Sequence, residues 1–529
     1  MLNCIGKTKN APMKKTAIVV LLLVLALIGQ FTATAQQIPF LSELFSRYSE
    51  FNRLYSEKRV AGANVAAVEP LRRRAEDAFK QGNIPGILET ISEGQALLTA
   101  RKWDDRQRFI ASLTLETDRL VIEPNQILQV SLTRMFAVMI DKTFPSTPTV
   151  TFAITSSEQL SKASAVQSAS APGQPLTIAE KLTIAETSSN AARRVLLPDG
   201  VYEVVAQVEA GGQKIAELRR PVYAISDFSA SISQLSKTIA AVKSSTDPKV
   251  KELAPMIATP EFQLQRLAQA NKARGEQEIN PIQEMDQIEA ELSEIAKGRN
   301  PFSMNRGEIE RAYRAGDDAL VPYRVYVPQS YDGASPKPLV VMLHGPLGNE
   351  RYFFGGFFDP AIIKSEAERR GYILAAVNGR GRFANYTGAS QEDAFQVIDA
   401  VCREYKIAAN RIFLLGHSLG GFGAWLVASS HPERFAAIAA LSGGPPAQGD
   451  ALAGILEKMK GLPAFIIHGA QDGIAPVQLS RSMVGPAQKA GLKVIYLEIP
   501  DGDHTSVVTS TFPAVLDFFD KHVRSPDAK

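Results

Sequence analysis

At 529 residues the chain exceeds what one ordinary hydrophobic core supports, so two to four domains are expected. A composition of 45% hydrophobic and 21% charged residues excludes a disordered polymer, and a formal charge of +3 gives no electrostatic reason to expect a nucleic-acid partner. The only cysteines, Cys4 and Cys402, exclude a disulfide framework and a cysteine-rich metal site.

Lys14 and Lys15 precede an apolar run from Ala17 to Ile28, and Ala33-Thr34-Ala35 supplies small residues at cleavage positions. This layout predicts a signal peptide over residues 1–35 and a periplasmic or extracellular protein. The apolar run is short for a stable membrane span, which needs about 20 residues. Cleavage removes four lysines and no acidic residue, taking the charge from +3 to −1.

Residues 36–108 read as a helical region, because Leu41, Leu44, Phe45 and Tyr48 share one helix face. From 109 to 226 the period shortens. Phe109–Glu116, Arg119–Glu123, Gln126–Leu132 and Thr149–Ile154 read as strands, and Val201–Val208 and Lys214–Arg219 flank Gly211-Gly212 as a hairpin. These short strands predict an Ig-like β-sandwich module, with residues 161–175, rich in Ser, Ala and Gln, as a loop. Helical pattern returns over 227–300, where Ile282, Met285, Ile288, Leu292 and Ile295 form a stripe. The two helical regions are expected to pack together and carry the β module as an insertion.

Residues 301–529 alternate apolar strands with helical stretches, which predicts an α/β unit around a mostly parallel sheet. Its ligands are expected at the carboxyl ends of the strands. The strands are placed at Tyr323–Val327, Leu339–Leu343, Tyr372–Val377, Arg411–Leu415, Phe435–Leu441, Ala464–Ile467 and Val494–Leu497. Gly416-His417-Ser418-Leu419-Gly420 fits G-x-S-x-G directly after the fourth of these and before a helix, the setting of a nucleophile elbow. Ser418 needs a general base. Among six histidines, His504 lies in a loop after the final strand, whereas His417 adjoins the serine and His468 ends a strand before a glycine. Asp472, in the loop after Ala464–Ile467, is the expected orienting carboxylate. Asp503 is expected to cap the following helix instead. The chain order Ser, Asp, His is that of α/β-hydrolases.

Residues from about 320 to 523 thus resemble the α/β-hydrolase superfamily, in the branch of feruloyl and acetylxylan esterases, polyhydroxybutyrate depolymerases and esterase D. The prolyl-oligopeptidase catalytic domain is a close relative. The resemblance rests on Pro322–Pro328, Leu343-His344-Gly345, Asn378–Gly381, Gly416–Gly421, His431–Phe435, His468–Asp472 and Gly502-Asp503-His504. It implies acyl-enzyme hydrolysis of carboxylic esters through Ser418, with neither metal nor organic cofactor. The expected partner is a small-molecule or polysaccharide-linked ester. The residue after His344-Gly345, a usual oxyanion donor, is Pro346, which lacks an N–H. The expected oxyanion hole is therefore built from the amides of Leu419 and Leu347, with the Tyr352 side chain as the alternative donor. Fewer than 20 residues separate Gly443-Gly444 from Leu462, leaving no room for a cap there and predicting an open site for bulky alcohols. Two other readings stand beside the esterase. One is a prolyl-oligopeptidase-like peptidase, for which no propeller repeat is visible in 36–300. The other is a non-catalytic binding protein on a hydrolase scaffold.

Overall fold

The computed structural model describes residues 38–60, 66–139, 143–144, 146–156, 176–184, 188–270, 279–355, 358–382 and 384–524. The expected signal peptide and the expected loop at 161–175 lie outside them. Among the described residues no helix is long and apolar enough to cross a membrane.

Four helices come first: α1 (Ile38–Val60), α2 (Glu69–Lys80), α3 (Ile84–Leu98) and α4 (Asp105–Ser112). The Asn83 side chain opens α3 by accepting the Gly86 N–H at 3.0 Å, and Asp104 opens α4 by accepting the Gln107 N–H at 3.0 Å. Residues 109–112, expected in a strand, therefore belong to a capped helix, and the strand β1 covers only Leu113–Thr117. Arg47 ties α1 to α3 by donating to Ser92 Oγ at 2.7 Å. Gly94 lets the two helices meet, because a Cβ there would collide with the Phe51 ring.

The strands β2 (Val121–Ile122), β3 (Ile127–Arg134), β4 (Thr149–Ser156), β5 (Leu176–Thr183), β6 (Ser188–Arg194), β7 (Gly200–Ala210) and β8 (Gln213–Ala224) complete two small sheets with β1. One has the order β1-β3-β6 and the other β2-β8-β7-β4-β5. Strand β6 had no apolar alternation to announce it. Leu88 and Ile91 of α3, Phe109 of α4, Leu128 of β3 and Phe152 of β4 share one core, so helices α1–α4 and both sheets pack as one body.

The helices α5 (Phe228–Lys243), α6 (Pro248–Glu252), α7 (Ala258–Ala270) and α8 (Pro281–Ala296) have a core of their own. Ile288, Leu292 and Ile295 of the predicted stripe are fully buried in it, while Ile282 is exposed. The two helical regions thus enter different cores, contrary to the expected common bundle, because α1–α4 spend their apolar faces on the small sheets.

Beyond Asn300 an eight-stranded sheet forms from β9 (Gly307–Arg314), β10 (Leu320–Val327), β11 (Lys337–Leu343), β12 (Ile373–Val377), β13 (Ile407–His417), β14 (Ala437–Leu441), β15 (Pro463–Gly469) and β16 (Lys493–Ile499). Its order is β16-β15-β14-β13-β11-β12-β10-β9, parallel from β16 to β12 and antiparallel at β10 and β9. Apolar clusters cover both faces, as buried parallel strands require. The helices around it are α9 (Pro360–Arg370), α10 (Ala389–Glu404), α11 (Leu419–Ser430), α12 (Gly449–Glu457), α13 (Gln478–Lys489) and α14 (Ser506–Asp520). Pairing of Leu343 with Gly416, His417 with Leu441, Leu441 with Ile467 and Gly469 with Ile499 ends five parallel strands along one edge.

The α5–α8 group is pinned to β9. Thr259 Oγ1 of α7 accepts the Ala312 N–H at 3.0 Å, and the Arg311 guanidinium pairs with Glu404 of α10 while lying over the Phe302 ring. That ion pair is buried, with side-chain exposures of 1% and 5%.

Candidate active site

The edge where the parallel strands end brings together residues distant in sequence. Ser418 turns the chain from β13 into α11 at φ 56° and ψ −119°, a backbone region that side chains rarely adopt. The glycines beside it are demanded by backbone contact. A Cβ on Gly416 would strike the Gly420 carbonyl, and one on Gly420 would strike that of Leu343. Strain of this kind raises the Ser418 hydroxyl above the sheet at the helix N-terminus.

Ser418 Oγ lies 2.9 Å from His504 Nε2, and His504 Nδ1 lies 2.8 Å from Asp472 Oδ2. The structure therefore brings the three predicted residues into one hydrogen-bonded chain, from the loops after β13, β16 and β15. Asp472 is fully buried. Its Oδ1 accepts the N–H groups of Ile474 and Ala475 at 2.9 and 2.7 Å. Burial opposes its charge, yet the facing His504 and His468 hold its carboxyl well below the usual carboxylate range. His468 Nε2 sits 3.1 Å from Asp472 Oδ2 and 2.8 Å from the Ala475 carbonyl, so it donates there and helps to fix the carboxylate. Asp503 does cap the next helix, its Oδ1 accepting the N–H groups of Thr505 and Ser506 at 3.0 and 2.8 Å.

A second chain of hydrogen bonds was not legible in the sequence. His417 Nε2 faces the His504 carbonyl oxygen at 2.7 Å, which makes Nε2–H the donor. Burial, and then the neighbouring His504, push the His417 pKa down to about 3, so its ring is neutral and Nδ1 carries a lone pair. Tyr352 Oη, 2.8 Å from Nδ1, must give its hydrogen to it. Tyr352 thereby orients His417, which holds the backbone of His504.

Of the two amides expected to form the oxyanion hole, one is engaged elsewhere. Leu419 opens α11, where the first N–H groups have no acceptor inside the helix. Leu347 does not offer its amide to Ser418, and here the expectation is corrected. After Pro346 the chain takes φ 62° at Leu347, and its N–H donates to the Arg382 carbonyl at 2.6 Å. The alternative, Tyr352, has its hydroxyl hydrogen engaged by His417.

Nor is the site open. A cavity of about 130 Å³ is walled by Pro346, Ser418, Ile474 and His504 on the sheet side and by helices α1–α3 on the other. The segment between Gly444 and Leu462 does hold only the short α12, as the residue count required. The cover comes from more than 300 residues earlier in the chain, where the sequence shows only residues sharing one helix face.

The family described as "Putative esterase" matches residues 320–490. Over 174 residues the chain is 25% identical to the bifunctional acetylxylan esterase/xylanase XynS20E of Neocallimastix patriciarum, which covers 32% of this chain and 24% of that protein. It is 28% identical over 141 residues to an uncharacterized secreted protein of Arthroderma benhamiae, covering 22% of this chain and 15% of that one. The chain thus spans a quarter or less of the length of these relatives. An S-formylglutathione hydrolase structure from Agrobacterium tumefaciens aligns with 41% of the chain and 95% of its own at 17% identity and a TM-score of 0.35. A mostly parallel sheet and an esterase-family match over residues 320–490 fit the α/β-hydrolase fold for the C-terminal unit of this chain.

Proposed function

We propose that the protein hydrolyses carboxylic esters through Ser418, His504 and Asp472. The observation that carries this reading is the unbroken hydrogen-bond chain from Ser418 Oγ through the His504 ring to the buried Asp472 carboxylate. Ser418 Oγ attacks the ester carbonyl carbon as His504 Nε2 takes its proton. Asp472, accepting from His504 Nδ1–H, keeps Nε2 unprotonated before attack and stabilises the imidazolium after it. The Leu419 N–H faces the developing oxyanion, aided by the positive end of α11. The carbon–oxygen bond to the alcohol then breaks, and the alcohol oxygen takes the proton from His504. Water repeats the sequence on the acyl-enzyme, returning Ser418 and releasing the acid. Small and polysaccharide-linked alcohols both fall within this reading, the latter on the strength of the acetylxylan esterase relative. Export fits the pattern of residues 14–35 and the secreted relative. We read the two small sheets as an Ig-like sandwich that carries helices α1–α4, because they share a core with those helices.

The test is hydrolysis of p-nitrophenyl esters by the purified protein and two variants. Ser418→Ala should lower kcat/KM by about 10⁴-fold or more, and Asp472→Asn by less. A Ser418→Ala protein retaining a tenth of the activity would show that another group is the nucleophile.

A further inference from the structure

Helices α1–α3 do more than pack against the small sheets, because their apolar side chains close a chamber whose opposite wall contains the nucleophile. Leu44 and Phe51 of α1, Leu71 of α2, and Ile87 and Ile91 of α3 line the same cavity as Ser418. All five are buried and line the cavity, so they face it rather than bulk solvent. The polar roof atom on α3 is already committed: Thr90 Oγ1 donates to the Gly86 carbonyl at 2.7 Å and accepts from Arg74 Nε at 3.1 Å. Tyr48 of α1 adds one phenol to the lining, but apolar side chains dominate it, so a carboxylate among them would lose its water for little in return, whereas hydrocarbon would lose nothing.

We infer that this chamber is the acyl pocket, and that the preferred substrates carry an unbranched apolar acyl group of about five to eight carbons. This deepens the serine-hydrolase reading and rests on it. The acyl group, not the alcohol, is assigned to the chamber for a chemical reason. It stays bonded to Ser418 Oγ through both half-reactions and so can sit under a fixed roof, while the alcohol must leave the site between them and be replaced by water. The size follows from the volume: an apolar cavity of about 150 Å³ takes a six-carbon guest, and this one measures about 130 Å³. An acetyl group would leave most of it empty.

The experiment measures kcat/KM for p-nitrophenyl esters from acetyl to dodecanoyl on the full chain. A parallel series holds the acyl group as acetyl and lengthens the alcohol. Each methylene buried should raise kcat/KM by about fourfold, so hexanoyl should exceed acetyl on the order of 10²-fold, with a decline beyond octanoyl. The alcohol series should change far less. Ile91→Phe, which fills the chamber, should lower the hexanoyl-to-acetyl ratio at least tenfold, and Phe51→Ala should move the optimum to longer chains. Circular dichroism checks that each variant is folded, and the unmodified chain's own profile stands without them. A flat or falling acyl profile whose activity still vanishes in Ser418→Ala overturns the pocket and leaves the serine reading standing. Length dependence appearing in the alcohol series overturns it equally, by placing the leaving group in the chamber. A protein inert toward every ester in both series overturns both.

Discussion

Replacing His417 with glutamine removes a buried base whose folded and unfolded pKa values lie far apart. In the fold the ring is fully enclosed, neutral, and titrates at about 3; in an unfolded chain a histidine titrates at about 6.5. Between those values the unfolded chain binds a proton that the folded one refuses, so acid favours unfolding. His417's contribution is whole above pH 6.5 and is lost as pH falls toward 3, at about 1.4 kcal/mol per pH unit. From pH 7.5 to 4.5 this amounts to ~2.7 kcal/mol. Other groups titrate in the same range. Glu291 is the clearest, since burial raises its pKa to about 7, so its contribution is present in acid and lost as pH rises from about 4.5 to 7. Glu291 is common to both proteins and cancels in their difference. Urea unfolding at several pH values, in a Trp103→Phe background, would be followed by the fluorescence of Trp425, buried in the hydrolase core. The glutamine protein should be the less stable at pH 7.5, since Tyr352 and the His504 carbonyl lose a well-placed partner. The gap should narrow by ~2–3 kcal/mol at pH 4.5. A gap constant to within ~0.5 kcal/mol would refute the neutral, desolvated imidazole and with it the assigned direction of the Tyr352 hydrogen bond.

Tyr352→Phe separates orientation from oxyanion binding. With its hydrogen engaged by His417, Tyr352 should cost ~1–3 kcal/mol of stability and less than tenfold in kcat on removal, whereas loss of an oxyanion donor costs about 10²–10³-fold. Steady-state kinetics with a thermal melt distinguishes the two. Glu404→Gln leaves Arg311 without its buried counter-charge, so the melting temperature should fall by at least about 6 °C, from ~3–5 kcal/mol at roughly 2–4 °C per kcal/mol. Converting both residues to methionine should recover most of that loss, and a double variant as unstable as the single one would contradict the ion-pair explanation.

What could be read from residues alone followed from how local the information was. The parallel strands are continuous apolar runs, and the glycines at 416 and 420 mark the elbow because their surroundings are backbone. Asp472 and His504, which the structure brings within hydrogen-bonding distance of each other, were legible because each lies just past a strand end. Strands β6 and β9 escaped for the opposite reason. Ser188–Arg194 and Gly307–Arg314 are edge strands rich in polar side chains, and their pairing is dictated by neighbours. The Leu347 amide could not be placed without knowing that the Arg382 carbonyl comes within reach of it. The cavity wall from α1–α3 was hidden for a similar reason. A stripe containing Leu44 has the same periodicity whether it meets a sheet or an empty space beside a nucleophile.

The contact between Gly94 and Phe51 gives that wall an adjustable thickness. One extra methyl group on α3 at position 94 cannot coexist with the Phe51 ring where it now stands. Gly94→Ala would force the ring to tilt or α1 to slide, and Phe51 borders the chamber. Under the proposed reading, position 94 thus acts on substrate size from just outside the chamber's lining. On that reading, a lineage carrying this architecture can retune which acids it releases through a residue outside the Ser418, His504 and Asp472 hydrogen-bond chain.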